Sequence, residues 1–258
     1  MNIIDTILAT LGITYVFLWS IGFYFQAYLI YKLRYAGGYS IDFQILNILG
    51  YAFLIANNLN FVIENNGSYD SIIDLVFPVH AFLITSFILC LSFRYPRGIN
   101  QGNLSVYLII FVMLLMIAIY HPVSCKFGTC NFHDIWIFMG LTKVLVSITK
   151  NTYQVFLNKD QQSTYGFSMA AIALDFGGAF LSLVQIALLI VYKYHDNLTN
   201  QVNWPRVILA VQAMIFDIVF FVQNCIYRRR RIALGALGLP KKPQKVDYEL
   251  MDFSDESS

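Results

Sequence analysis

Lys143, Lys150 and Asp175 stand inside long apolar runs, and Asp217 stands inside another, flanked by Phe216, Ile218, Val219 and Phe220. Hydrocarbon penalises an ionised side chain by roughly 2.5–3.5 kcal/mol near a helix centre on insertion scales, so charges kept there face a protein interior or a water-filled path. Two kinds of chemistry follow. An ammonium holds a carboxylate and a carboxylate holds an ammonium, so Lys143 with Asp175 suits a small zwitterion. Burial disfavours the charged form of a carboxylate, so a group such as Asp217 can take a proton from an acidic compartment and release it near neutral pH. Lys143 and Lys150 are two turns apart on one helix face. Lys150 either joins that chemistry or snorkels to the interface, and Asp175 has the alternative of a structural pair with either lysine. Asp42, two residues after Ser40 at the start of a run, reads as a helix N-cap.

These residues need helices in a bilayer to position them. The chain has 258 residues, 58% hydrophobic and 12% charged, against about a quarter charged in a soluble domain. Apolar runs near the ~20 residues that span a bilayer are expected at 6–33, 43–63, 72–93, 104–120, 131–157, 168–194 and 205–227. Alternate connections carry Lys32 and Arg34, then Arg94 and Arg97, then Lys159, then the arginines at 228–231. The other connections are poor in Lys and Arg. The positive-inside rule therefore sets the amino terminus in a lumen and the carboxyl terminus in the cytosol. Asn66 and Asn197, each heading an Asn-x-Ser/Thr triplet, fall on the lumenal side, where glycosylation is possible. The opening residues 1–5 carry no positive signal-peptide region and are read as a short lumenal terminus. No basic patch interleaved with aromatics points to nucleic acid. No nucleophile–base pair or metal-helix motif points to an enzyme.

An internal repeat organises the spans. At an offset of 128, Gln26 meets Gln154, Tyr39 meets Phe167, Ser40 meets Ser168, Asn47 meets Asp175 and Gly50 meets Gly178. The expected fold is an all-α membrane protein of seven transmembrane helices. Two parallel three-helix repeats, 6–95 and 129–227, are joined by a linker helix and its loops, 96–128, and followed by a disordered tail, 228–258. Transporters built from repeats bind substrate near mid-membrane at the repeat interface.

Three strings carry a family pattern: YSIDFQILN (39–47), ALDFGGAFLSLVQ (173–185) and FDIVFFVQ (216–223). Together they resemble the PQ-loop transporters, and most closely the cystinosin branch, whose members are proton-coupled lysosomal or vacuolar cystine exporters. The resemblance runs from about Trp19 to Tyr227. It implies proton-coupled export of cystine or a related small amino acid to the cytosol by alternating access. The proton is implied to ride on Asp42, Asp175 and Asp217, and substrate contact falls to Lys143, Asn158 and Asp175, with Asn47 at the position equivalent to Asp175. The Pro-Gln pair that names the family is altered twice. Phe25-Gln26 and Tyr153-Gln154 stand where a hinge proline is expected, so the hinge must come from elsewhere. The competing expectation is a seven-helix receptor or scaffold of the same fold that has lost transport.

The remaining signals are local. Cys125 and Cys130 share a lumenal loop and suit a disulfide; with His121 and His133 they also form a zinc-like spacing, but no metal or cofactor is expected. Cys90 and Cys225 read as packing residues in apolar helices. His80, inside the third span, either senses lumenal pH or is hydrogen-bonded in the core. Tyr248 to Met251 fits the Tyr-x-x-Φ form read by clathrin adaptors at endosomes and lysosomes. The expected partners are therefore L-cystine or a relative, protons, membrane lipid and an adaptor.

Overall fold

The structure is a computed structural model, and it describes residues 3–64, 67, 69–96, 108, 110–112, 115–116, 119–120, 132–192 and 202–236. Six long helices stand out among them: α1 (Ile3–Leu33), α2 (Ile41–Glu64), α3 (Tyr69–Arg94), α4 (Phe132–Asp160), α5 (Met169–Tyr192) and α6 (Trp204–Ala236). They are the first to third and fifth to seventh expected spans. The fourth is helical where it is described, between Leu108 and Tyr120. Asn66, Asn197, Cys125, Cys130, Tyr248 and Met251 lie outside the described residues.

Four helices, α1, α3, α5 and α6, contain segments long and apolar enough to cross a membrane by length and composition. The polar residues cluster on the other two. Asn47, Asn57 and Asn58 interrupt α2, and Lys143, Lys150 and Asn151 interrupt α4. These two helices pack on each other, so each covers the other's polar positions.

The helix pairs follow the repeat. Within the first half α3 packs on both α1 and α2, and within the second α6 packs on both α4 and α5. Across the halves, α1 packs on α5 and α2 packs on α4. Exchanging the halves maps this arrangement onto itself.

The two interhelix turns match residue by residue. Arg34, just after α1, has φ 48°, and its equivalent Gln162, just after α4, has φ 47°. A β-turn follows each: Tyr39 N–H donates to Ala36 O at 3.2 Å, and Phe167 N–H donates to Thr164 O at 3.1 Å. Ser40 then caps α2 through the Phe43 N–H, and Ser168 caps α5 through the Ala171 N–H. Ser40 holds the cap that Asp42 was expected to hold; a hydroxyl one residue before the helix reaches the third amide, whereas Asp42 is already in the first turn.

The turns are tied across the halves. Gln26 Nε2 donates to Gly166 O at 3.0 Å while its Oε1 accepts from Ser168 N–H at 2.9 Å. Gln154 Nε2 donates to Gly38 O at 3.0 Å while its Oε1 accepts from Ser40 N–H at 3.1 Å. Each half's glutamine thus satisfies both a donor and an acceptor in the other half's turn. The turns lie so close that a Cβ on Gly38 would sit 1.9 Å from Tyr165 O. Between the clamps Tyr39 stacks on Phe167, ring centroids 6.0 Å apart, and Phe220 packs edge-on against Phe167 at 4.9 Å. Ile30, Ile88 and Phe43 complete this plug.

Two boundaries and the placement of two cysteines differ from expectation. α4 runs on to Asp160, so Asn158 lies inside the helix rather than just after it. α6 runs through the arginines to Ala236 rather than ending at Tyr227. Arginine is a good helix former, and a charge run that ends a membrane span need not end a helix. Cys90 and Cys225 are exposed on outer faces rather than packed inside.

Gly38→Ala should lower stability by about 3 kcal/mol or more, the upper end for overpacking, because the clash is with backbone. Gly177→Ala, whose Cβ would find Leu18 Cδ1 at an ordinary 3.5 Å, should change it little. Thermal unfolding of the two purified variants in detergent measures both; equal effects would contradict the crossing of the turns.

Candidate functional site

A cavity opens between the halves, enclosing about 700 Å³ of non-atom space including its part open to solvent. All six helices contribute. α4 supplies Lys143, Ser147, Lys150 and Asn151 from one face, α5 supplies Asp175, and α6 supplies Arg206, Leu209 and Ala213. α1, α2 and α3 supply aromatic walls in Trp19, Tyr51 and Phe77, with polar groups in Tyr15, Asn58 and Asp74.

Lys143 is 3% exposed. Its ammonium lies 3.8 Å from the Tyr51 ring centroid and donates to Asn47 Oδ1 at 3.5 Å. A cation over an aromatic face gains about 2 kcal/mol when desolvated, which offsets part of the lost hydration. Gly50 makes the room: a Cβ there would lie 2.9 Å from Lys143 Nζ. Lys150 turns inward too. Its Nζ sits 4.3 Å from the Phe43 ring centroid, beside the cavity. It therefore lines the cavity rather than snorkelling to the interface, with its ammonium against the Phe43 face.

Asp175 reaches the cavity from α5, and the charges of both lysines act on it. Trp19 Nε1 donates to its backbone oxygen at 3.2 Å. The Trp19 ring fits because position 178 is glycine; a Cβ there would stand 2.6 Å from the ring. Asp217 lies one layer behind, 2% exposed, with Oδ2 receiving no hydrogen bond among the described residues. The charges of Asp175 and Lys150 act on it.

The geometry separates the expected site residues into three groups. Lys143 and Asp175 face the cavity, Asn47 stands behind Lys143, and Asp217 stands behind Asp175 and Lys150. Asp42 is buried in the first turn of α2 at the clamp end. Asn158 belongs to the clamp: its Oδ1 accepts from Gln154 Nε2 at 2.9 Å and its Nδ2 donates to Gln223 Oε1 at 3.1 Å. Phe25 points outward, and Tyr153 packs near Leu46 and Val146. α1 and α4 run unbroken through both positions. The proline inside α3 is Pro78, next to the cavity residue Phe77. His80 also lies on α3, with Nε2 3.0 Å from Tyr24 Oη.

At the other end of the cavity is a network that sequence reasoning missed. Arg206 pairs with Asp74 at 2.8 Å, and both are buried. Tyr15 donates its hydroxyl to the same Asp74 oxygen at 2.6 Å. Arg206 also donates to Ser182 Oγ at 3.0 Å and to Gln185 Oε1. Gln185 Nε2 reaches on to Leu8 O at 2.8 Å. The guanidinium lies over the Tyr15 ring, 4.6 Å from its centroid. The ion pair and its hydrogen bonds thus join α1 and α3 of the first half to α5 and α6 of the second. A signal was available: Asp74 and Arg206 are opposite charges placed just inside the third and seventh spans, at matching depth.

The family model for the PQ loop repeat matches residues 7–65, the segment that contains Gln26, the Gly38 turn and the Ser40 cap. This segment is similar to the PQ loop repeat. Relatives extend the likeness over most of the chain. It is 28% identical to the "Cystinosin homolog" of Dictyostelium discoideum, with 91% of this chain and 86% of that protein aligned. Against the "Cystinosin" of Bos taurus it is 25% identical over 89% of this chain. That alignment covers 65% of the bovine protein, so the chain spans just under two thirds of it. It is 25% identical to the "Cystine transporter" of Saccharomyces cerevisiae, covering 85% of this chain and 94% of the yeast protein. Gln26, the clamp residue of the first half, lies within the matched segment.

Removing one member of a buried pair strands the other's charge, at about 3–5 kcal/mol. Arg206→Met should therefore destabilise the protein by about that much, and Arg206→Met with Asp74→Leu should regain more than half of it. Unfolding in detergent compares the variants; a double variant no more stable than the single would break the pairing argument.

Proposed function

We propose that the protein carries cystine, or a related small amino acid, together with protons, from an acidic lysosomal, vacuolar or endosomal lumen to the cytosol. The observation that carries this reading is the cavity between the halves, which presents the ammonium groups of α4 and the carboxylate of α5 together. The spacing of the lysines suits a two-headed substrate. Lys143 and Lys150 are separated by roughly 10.5 Å along α4 at 1.5 Å per residue. The α-carbons of cystine stand roughly 5.5–6 Å apart across the disulfide, with a carboxylate beyond each. Asp175 would take an ammonium group. The name of the yeast relative, a cystine transporter, supports the same substrate.

The cavity's two ends suit alternating access. The glutamine clamps with the Tyr39–Phe167 plug close one end, proposed as cytosolic, and the Arg206–Asp74 network closes the other, proposed as lumenal. Both join the same two halves, so the halves can rock about the cavity if one set breaks while the other holds. α3 would bend at Pro78, since proline removes an intrahelical hydrogen bond, in place of the hinge absent at Phe25 and Tyr153. Asp217, whose Oδ2 receives no hydrogen bond among the described residues, and Asp175 would exchange the proton, with Asp42 linking it to the cytosolic mouth. The same reading gives a lumenal amino terminus, a cytosolic carboxyl terminus and an adaptor signal at Tyr248 to Met251.

Proteoliposomes with an acidic interior test this. Labelled cystine should leave with an accompanying proton current. Asp175→Asn should reduce the flux at least tenfold, about 1.4 kcal/mol or more in barrier terms. Unchanged flux in that variant would remove Asp175 from the mechanism. Absence of cystine or other amino-acid flux in the unaltered protein would favour a scaffold without transport.

A further inference from the structure

The α4 wall of the cavity carries more than its lysines. Ser147 lies one turn after Lys143, and Asn151 one turn after Ser147, on the same face. Asn151 is 8% exposed, yet its side-chain amide makes no hydrogen bond among the described residues. Ser147 departs from its neighbours. Thr142, Thr149 and Thr152 on α4 each donate to the carbonyl four residues earlier, at 2.8 Å. Ser147 Oγ instead accepts from Gln212 Nε2 of α6 at 3.1 Å. Its own hydrogen has no acceptor among the described residues, and the residue lines the cavity. Gln212 is buried, and its Oε1 has no partner among the described residues. An orphaned buried acceptor is a cost that leucine of similar size would not carry. What the amide does in that position is orient Ser147.

We propose that Ser147 and Asn151, with Gln212 as a positioning residue, form a neutral subsite for the primary carboxamide of an amino-acid side chain. The proposal rests on the cavity being an amino-acid site and adds a second substrate class to it. A carboxamide matches two of the free groups: its oxygen accepts from the Ser147 hydroxyl, and its NH₂ donates to Asn151 Oδ1. A disulfide offers only weak acceptors there, and a hydroxyl group has a single hydrogen to give. With the α-carboxylate on Lys143, the subsite begins roughly 6 Å farther along α4, one turn away, within reach of a short side chain.

Thermal stability of the purified full chain, titrated with L-glutamine and with L-cystine, tests the subsite, because a ligand bound only by the folded state raises stability. L-glutamine should stabilise the protein saturably. In Gln212→Leu and Ser147→Ala its affinity relative to that of cystine should fall about tenfold, the worth of one to two hydrogen bonds. If Gln212→Leu fails to fold, Ser147→Ala, which deletes one oxygen, carries the same comparison. Stabilisation by cystine and not by glutamine overturns the subsite and leaves the cystine reading standing. Stabilisation by glutamine alone upholds the subsite and overturns cystine as substrate. No stabilisation by either overturns both. An equal loss for both ligands makes the pair part of the cavity's shape and overturns the subsite.

Discussion

Two glutamine side chains, each reaching across to the opposite half, hold the molecule together at one end. A primary amide is suited to this because it donates and accepts at once. Gln26 and Gln154 each meet a carbonyl and an amide two residues apart in a turn. A turn buried against another turn has backbone groups that neither helix can satisfy, and leaving such groups unpaired costs about as much as a lost hydrogen bond. The glutamines remove that cost, the serine caps start the next helices at fixed positions, and the aromatic plug fills the space between. The register of α2 against α4 and of α1 against α5 follows from the clamps.

The opposite end is held by charge. Arg206 is satisfied by Asp74, Ser182, Gln185 and the Tyr15 ring, so its desolvation is met by neighbours from both halves. Lys143 and Lys150 are less completely met, leaning on aromatic faces and on the field of Asp175. The contrast divides the cationic groups by task. A cation with a full set of partners is structural until those partners separate, whereas a cation resting on a ring has hydrogen-bonding capacity left for a ligand.

Much of this was legible in the chain. The offset of 128 aligned the two glutamines, the two serines and the Tyr39–Phe167 pair, and all of these meet at the clamp. Repetition exposes such residues because both copies obey the same local backbone demands. Lys143 and Asp175 stood out because charge in an apolar run is costly. Asp74 and Arg206 did not, because each lies near a span end, where a charge reads as ordinary interfacial decoration until its partner from the other half is seen. The direction of Lys150 was equally illegible, since snorkelling and burial share one sequence. Asn158 looked like a site residue and sits in the clamp, because a side chain at a helix end can face either the cavity or the neighbouring turn. Ser147 and Gln212 carried no signal as single residues; only their contact separates them from the other hydroxyls and amides.

The crossing of the turns also bears on how the chain reaches its fold. The clamp contacts join residues 114 to 142 positions apart. While α1 and α2 are being made, the Gly38–Ser40 turn has no Gln154 to complete it, and Gln26 has no turn to hold. Local helix formation proceeds, but the pairing that sets the register waits for the second hairpin, and contacts of such high sequence separation form late because chain closure must precede them. The first half therefore spends its early life as an incomplete surface whose missing complement is a near copy of itself. Two nascent chains brought together at that stage would offer each other the contacts that the finished molecule makes internally, so the device that locks the fold is also its main route to pairing with the wrong copy.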